Sequence, residues 1–296
     1  MPELPEVETI VRQLRPQLVG RTVTAVRLGW SGVVQRPSPA RFRSELVGRR
    51  IVGVRRRAKY FVFELDDGRA LVGHLRMTGR LAVEPALPPS DASALRPEWV
   101  RASFLLDDGR RLVFADVRKF GRLALVRSLD EVLPAIGPEP LSDAMDGSWM
   151  AAALAARRRL LKPLLLDQSF VAGLGNIYVD EALHLSGLHP LRASHRVSRA
   201  GAETLAQSIK SVLTRAIAAE GSSFDDFYRT PEGRPGRYQD GFLVYGRDGQ
   251  PCRRCGATIV RLVVGQRGTH VCPRCQPRPR GASRPRTPRA TPATRR

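Results

Sequence analysis

Met1-Pro2-Glu3-Leu4-Pro5-Glu6-Val7-Glu8-Thr9 opens the chain, and the helix it launches sets how the remainder is read. Pro5 suits the first helical turn, where its missing N–H costs nothing, and Glu6 and Glu8 face the positive end of the helix dipole. Val7, Ile10, Val11 and Leu14 recur at i, i+3, i+4 and i+7, the spacing of one buried helical face. Pro16 and Gly20 end or kink that helix. Removal of Met1 would leave a free proline amine beside a carboxylate. An α-amino group titrates at about 7.7–8.0, against about 10.4 for lysine, so a usable neutral fraction exists at neutral pH. A secondary amine attacking an aldehydic carbon yields a charged iminium, which is an electron sink. Glu3 is placed to donate or accept a proton beside it. The plainer reading is that Pro2 and Glu3 only begin a helix.

Composition narrows the choice. The chain has 296 residues, 42% hydrophobic and 26% charged, enough for two modest domains with real cores. No apolar run approaches the roughly 18 residues of a membrane span. The N-terminus lacks a basic-then-apolar signal pattern, so a cytoplasmic protein is expected, processed only at Met1. The net charge of +21 implies a polyanionic partner, nucleic acid first. There are 45 Arg and 4 Lys. A compositional bias explains Arg over Lys but not the excess of positive charge.

Thr22 to about Val126 reads as strands: Thr22–Leu28, Ile51–Arg55, Tyr60–Leu65, Arg69–Leu75, Ser103–Leu106, Arg110–Phe114 and Arg122–Val126. Phe63-Glu64-Leu65-Asp66-Asp67-Gly68-Arg69-Ala70-Leu71-Val72 resembles Phe104-Leu105-Leu106-Asp107-Asp108-Gly109-Arg110-Arg111-Leu112-Val113. Asp-Gly between apolar runs is a strong hairpin signal, so two similar hairpins in an antiparallel sandwich are expected. Pro134–Gly147 reads as a linker. Helices follow over Trp149–Arg158, Leu160–Gln168, Asn176–Ser186 and Ala200–Glu220, then a loop-like stretch from Gly221 to Gly241. The last twenty residues carry seven Arg, five Pro and no acid, the composition of a disordered tail. The body is strongly basic without them.

Cys252-x2-Cys255 and Cys272-x2-Cys275, sixteen residues apart, suit one structural, tetrahedral zinc ion with no open position. His270 would be a ligand only if a cysteine were not. Between the pairs, Gln266-Arg267-Gly268-Thr269 places Arg267 at a hairpin tip, where it could meet a phosphate. Gly173-Leu174-Gly175-Asn176 is a tight turn into a helix that Asn176 would cap, a geometry that suits an anion but is also common at helical corners. Lys59 follows Arg55-Arg56-Arg57-Ala58, and lysine can shuttle a proton where arginine cannot. Met77 and Phe120 lie just past strands in glycine-containing turns beside arginines, as wedges into a duplex would; read singly, each fits a core residue better.

Taken together, Pro2-Glu3-Leu4-Pro5-Glu6-Val7-Glu8-Thr9, Arg57-Ala58-Lys59-Tyr60, the Met77 turn, Arg118-Lys119-Phe120-Gly121, Gly173-Leu174-Gly175-Asn176-Ile177-Tyr178 and the cysteine module resemble the formamidopyrimidine-DNA glycosylase family, over about residues 1–276. The resemblance implies a multidomain α+β protein. A catalytic β-sandwich with a flanking N-terminal helix spans 1–133, a linker 134–147, and a helical, helix-two-turns-helix DNA-binding domain with a lesion-covering loop 148–236. A β-hairpin zinc finger spans 237–276, and the tail 277–296.

It implies a glycosylase/AP lyase acting on oxidised purines in double-stranded DNA, monomeric and without a small-molecule cofactor or a membrane. Pro2 would be the nucleophile and Glu3 the acid that helps open the sugar, with Glu6 in support. Lys59 would serve β-elimination and Arg267 δ-elimination. Met77, Arg118 and Phe120 would fill the gap left by an everted nucleotide, Asn176 would bind phosphate, and Arg158 best matches a DNA-contacting lysine of the family. The sequence departs from the family at Trp99, where a DNA-contacting histidine is frequent, and at Lys119, where arginine is. Leu4 separates the chain from the endonuclease VIII branch, which acts on oxidised pyrimidines. A non-catalytic zinc-dependent DNA-binding protein would need no free Pro2.

Overall fold

The computed structural model describes residues 1–85, 96–133, 135–223 and 228–281. Two compact units emerge, residues 1–136 with 214–240, and residues 137–213 with those from 241 onward.

In the first unit, α1 (Leu4–Leu18) is followed by β1 (Val23–Leu28), β2 (Val34–Arg36), α2 (Pro39–Leu46), β3 (Ile51–Arg57), β4 (Tyr60–Leu65), β5 (Ala70–His74), β6 (Gly79–Pro85), β7 (Val100–Leu106), β8 (Arg110–Asp116) and β9 (Arg122–Val126). The strands form a four-stranded sheet, β1-β7-β8-β6, and a five-stranded sheet, β2-β9-β5-β4-β3. The two Asp-Asp-Gly echoes are the β4–β5 and β7–β8 hairpins, one in each sheet. The sandwich is antiparallel except where short β2 runs parallel to β9. Sequence periodicity misses β2, α2 and β6. β2 is only three residues long, and Ser38 caps α2 by accepting from the Arg41 N–H, a start signal set inside a basic, weakly apolar stretch. In β6, Leu81 and Val83 alternate with Arg80 and Ala82 too faintly to stand out. Pairing with β8 from Gly79–Asp116 to Pro85–Arg110 secures it.

Val7, Ile10, Val11, Leu14 and Leu18 of α1 are buried to 1% exposure or less in the core that also holds Phe42, Phe61, Phe63, Phe104 and Phe114. At about 1.5–3 kcal/mol for each fully buried side chain, this face is a major term in seating the helix. Pro16 lies inside α1, which continues to Leu18, because proline removes only one hydrogen bond and the last turn is held by its apolar face.

The second unit contains α3 (Gly147–Ala155), α4 (Leu161–Leu166), α5 (Asn176–Leu185), the first part of α6 (Arg199–Ala218), β10 (Val260–Val264) and β11 (Arg267–Val271). α3 stops short of Arg157–Arg159, where three cations would crowd one turn. Gly175, not Asn176, occupies the N-cap of α5. A residue already in helical conformation cannot cap its own helix, and the Asn176 amide instead donates to the Gly268 carbonyl at 3.1 Å.

Lys162 on α4 is fully buried. Its Nζ donates to Asp180 Oδ1 on α5 at 2.6 Å and to the Gly268 carbonyl of β11 at 2.9 Å, while Asp180 Oδ2 accepts the His270 N–H at 2.9 Å. A buried charge that loses its partner costs about 3–5 kcal/mol, whereas an apolar replacement of both is often near neutral. Lys162→Ala is therefore expected to lower the unfolding free energy by that amount in urea titration of the zinc-loaded protein. Lys162→Met combined with Asp180→Leu should recover only part of it, because the buried His270 N–H then loses its acceptor, at about 1–3 kcal/mol.

Candidate active site

Pro2 and Glu3 are buried immediately before α1, while Met1 is 38% exposed. Glu6 is buried to 2%, and its carboxylate accepts the Glu3 N–H and the Ser222 N–H, each at 2.8 Å. One side chain thus holds the backbone at Glu3 and the start of the segment after α6. The approach is close: a Cβ on Gly221, at φ +80°, would stand 2.8 Å from Glu6 Oε1.

The next turn of α1 is tied to the sheet. Glu8 accepts from Arg56 Nε at 2.8 Å, and Arg56 Nη1 donates to the Ala58 carbonyl at 3.0 Å. Burial raises the Glu8 carboxyl, but hydrogen bonds and charge from Arg12 and Arg56 outweigh it and hold the group below the usual range. The Arg56 side chain is only 8% exposed. The helix carrying Pro2 and the turn carrying Lys59 are therefore fastened through one guanidinium.

The non-glycine residues with positive φ among those described are Ala58, Arg76, Lys119, Glu220 and Gln266. Each sits against a residue singled out from the sequence. Ala58 precedes Lys59, Arg76 precedes Met77, Lys119 precedes Phe120, Gln266 precedes Arg267, and Glu220 precedes Gly221. Left-handed backbone costs an L-residue about 1–2 kcal/mol and concentrates where side chains must be aimed. Ala58 and Lys59 form a two-residue hairpin loop between paired Arg57 and Tyr60, with Ala58 at φ 52° in the position a II′ turn normally gives to glycine. Lys59 itself is buried to 7%. Gly265 and Gln266, at φ 56° and 62°, make the type I′ tip of β10–β11 and present Arg267 exposed. Met77 is half-buried, whereas Arg118 and Phe120 are exposed, with the Arg118 guanidinium 4.7 Å from the Phe120 ring centroid.

His74 escaped sequence reasoning. It lines a cavity of about 140 Å³ with Gln35, Tyr60, Arg76 and Arg122. Its Nδ1 accepts the Arg76 N–H at 2.9 Å, which places any ring proton on Nε2. Burial, then the charges of Arg76 and Lys59, push its pKa down from 6.5 to about 3, so it is neutral at physiological pH. Trp99 is turned inward: it packs against Ala82, Val113 and Ala115, beneath the Arg96 guanidinium.

In the second unit Arg158 lies exposed in the loop after α3. The cysteines converge, with Cys255 and Cys272 sulfurs 3.4 Å apart and Cys252 and Cys275 sulfurs 3.9 Å apart. Zinc–thiolate bonds of about 2.3 Å give tetrahedral edges near 3.8 Å, so the donor set fits a zinc ion. His184 of α5 joins the cluster, its Nε2 3.4 Å from Cys252 Sγ. Nothing local in the sequence marks it, because the contact spans 68 residues. His270 instead faces Asp180 and Asp248, at 3.4 Å from each.

A sandwich that buries Pro2 and Glu3 behind an exposed Met1, a glycine turn entering a helix and a four-thiol ribbon delimit a class of zinc-finger DNA glycosylases. Residues 1–123 match the formamidopyrimidine-DNA glycosylase N-terminal domain, residues 136–227 the formamidopyrimidine-DNA glycosylase H2TH domain, and residues 249–278 a zinc finger found in FPG and IleRS. The formamidopyrimidine-DNA glycosylase of Roseiflexus sp. (strain RS-1) is 46% identical over 282 residues, covering 93% of this chain and all of the relative. A Lactococcus lactis FPG mutant bound to Fapy-dG containing DNA aligns with a TM-score of 0.83 at 38% identity, over 94% of this chain and all of that one. The MutM (FPG) protein of Thermus thermophilus aligns at 0.81 and 41%, over 93% and 98%. The chain belongs to the formamidopyrimidine-DNA glycosylase family.

The His74 environment predicts a pH dependence. Its folded pKa is depressed, so between pH 6.5 and about 3 the unfolded chain binds a proton that the native state refuses. Stability contributed by neutral His74 is full above pH 6.5 and drains away as pH falls through that window. In His74→Gln, the slope of unfolding free energy against pH, measured by urea titration from about pH 6 to 4, should be shallower by up to about 1.4 kcal/mol per pH unit.

Proposed function

We propose that the protein is a bifunctional DNA glycosylase/AP lyase that excises oxidised purines, such as 8-oxoguanine and formamidopyrimidines, from duplex DNA. The observation that carries this reading is the buried Pro2–Glu3 pair at the head of a helix clamped by Glu6 and Glu8. With Met1 removed, the Pro2 nitrogen attacks the sugar C1′ and forms a C–N bond. The C1′–base bond breaks, its electron pair leaves with the base, and the base takes up a proton. Glu3 protonates the ring oxygen as the sugar opens, and the nitrogen becomes an iminium. Electron withdrawal by the iminium acidifies C2′–H. Loss of that proton expels the 3′ phosphate in β-elimination, and a second loss expels the 5′ phosphate in δ-elimination.

Glu6 supports the pair, Lys59 serves the first elimination and Arg267 the second. Met77, Arg118 and Phe120 occupy the gap left by the everted nucleotide, whose unstacking costs a few kcal/mol. Asn176 and Arg158 bind the DNA backbone. Cys252, Cys255, Cys272 and Cys275 hold the zinc ion, which serves structure only, by keeping the Arg267 hairpin folded. The lesion-covering loop spans residues 221–236, of which 224–227 lie outside the described residues, as does most of the basic tail. Among the described residues no helix is long and apolar enough to cross a membrane; we place the enzyme's work in the bacterial cytoplasm, on the nucleoid, as a monomer.

Borohydride should trap a covalent adduct between the Met1-processed protein, verified by intact mass, and duplex DNA carrying 8-oxoguanine opposite cytosine. Absence of the adduct would exclude Pro2 as nucleophile. Glu3→Gln should bind the damaged duplex normally yet lose base release by about a hundredfold or more, the range of a general acid; retained turnover would remove Glu3 from that role.

A further inference from the structure

Asp116 ends β8 and is 1% exposed, yet nothing in the chemistry above uses it. Its two carboxylate oxygens are shared between two separate turns. Oδ1 accepts the Thr78 hydroxyl and, at 3.2 Å, the Arg118 N–H. Oδ2 accepts the Gly121 N–H at 2.7 Å. The Thr78 hydroxyl oxygen in turn accepts the same Arg118 N–H at 3.3 Å. Thr78 follows Met77, and Arg118 and Gly121 bracket Phe120. One buried carboxylate therefore stands at the root of both turns that carry the apolar tips.

The surrounding geometry leaves these turns little freedom. Gly79, which closes the Met77 turn by donating to the Leu75 carbonyl at 2.9 Å, is strand-paired with Asp116 itself. A Cβ at Gly79 would stand 2.5 Å from that carbonyl oxygen, and one at Gly121 would stand 2.4 Å from the Phe114 ring. Arg76 and Lys119, the residues before the two tips, are both left-handed. Arg101 Nε donates to the Asp116 carbonyl at 2.7 Å, so the backbone behind the carboxylate is held as well. Hydrogen bonds to a charged acceptor are roughly twice as strong as neutral ones, and a buried carboxylate has no water to fall back on.

We propose that Asp116 is a positioning residue that locks the Met77 turn to the Arg118–Phe120 turn, so that the tips enter a duplex as one preformed wedge. This rests on the gap-filling reading of Met77, Arg118 and Phe120. Ordering two independent loops at the moment of binding would cost affinity that a prelocked pair keeps. The lock matters only where a base stack must be opened. A single-stranded abasic oligonucleotide presents no stack, and its sugar reaches Pro2 without the wedge.

Two variants separate this role from general stability. Asp116→Asn is nearly isosteric but turns an amide N–H₂ toward one set of N–H donors. Thr78→Val keeps the carboxylate and cuts only the Met77 arm. Each is expected to lower excision of 8-oxoguanine from duplex DNA about tenfold or more, the worth of one charged hydrogen bond. Borohydride trapping on the single-stranded abasic oligonucleotide should stay within about twofold of the parent protein. Adding Asp116→Asn to the Met77→Ala/Phe120→Ala protein should cost little more, since residues acting as one unit are not additive. Undiminished duplex excision in both variants, or equal losses on duplex and single strand, would overturn the inference. Full duplex activity in Met77→Ala/Phe120→Ala would instead overturn the gap-filling reading beneath it.

Discussion

Everything at the N-terminal end depends on the burial of one face of α1. A chain terminus is ordinarily among the most mobile parts of a protein. Here the apolar face from Val7 to Leu18 sits in the sandwich core, and two carboxylates finish the attachment. Glu6 fixes the backbone at Glu3, and Glu8 reaches Arg56 on β3. The arrangement works because the apolar face and the carboxylates lie on different sides of the same helix. Seating and aiming are thereby separate functions of one short sequence.

A second constraint is backbone strain at the turns. Among the described residues of the first unit, four left-handed non-glycine residues, Ala58, Arg76, Lys119 and Glu220, at about 1–2 kcal/mol each, amount to a sizeable share of the roughly 5–15 kcal/mol by which a domain is stable. Glycine would relieve the strain at Ala58 or Lys119. It would also admit other conformations to the turn, and Lys59 or Phe120 would then be aimed less narrowly. Strain is tolerable at these points because paired strands stand beside the turns and hold their ends.

Local pattern made much of this legible. The spacing from Val7 to Leu14 located α1, Asp-Gly located two hairpins, and the paired Cys-x2-Cys located the metal ribbon. What stayed hidden is set by contacts far apart in sequence. Asp116 lies just past the predicted strand Arg110–Phe114, and its role shows only when Thr78, 38 residues earlier, is seen against it. Lys162 falls in the predicted helix Leu160–Gln168, and nothing local announces that Asp180 and Gly268 enclose it. His184 occupies a helix whose own periodicity gives no reason to expect a sulfur nearby. β6 failed for a related reason: its identity comes from pairing with β8 rather than from a strong pattern of its own. Asn176 illustrates the opposite error, a residue of the right type assigned a local cap when its partner is a distant carbonyl.

The charge of +21 points to a polyanion but does not count the contacts with it. Many arginines are engaged by the protein's own backbone carbonyls and are wholly or partly buried: Arg57 with Ile136, Arg101 with Asp116, Arg110 with Gln17 and Arg247 with Leu243. Arginine suits this work because its planar fork keeps several donors in fixed directions and never loses its charge. Such side chains raise the potential around the protein and so its rate of encounter with DNA. They are not placed to release counterions one for one. The salt dependence of binding measures phosphates actually neutralised, and only arginines that stay exposed, as Arg118, Arg158 and Arg267 do, are available for such contacts. Net charge read from composition therefore overstates the footprint, and the difference is the arginine that folding has already used.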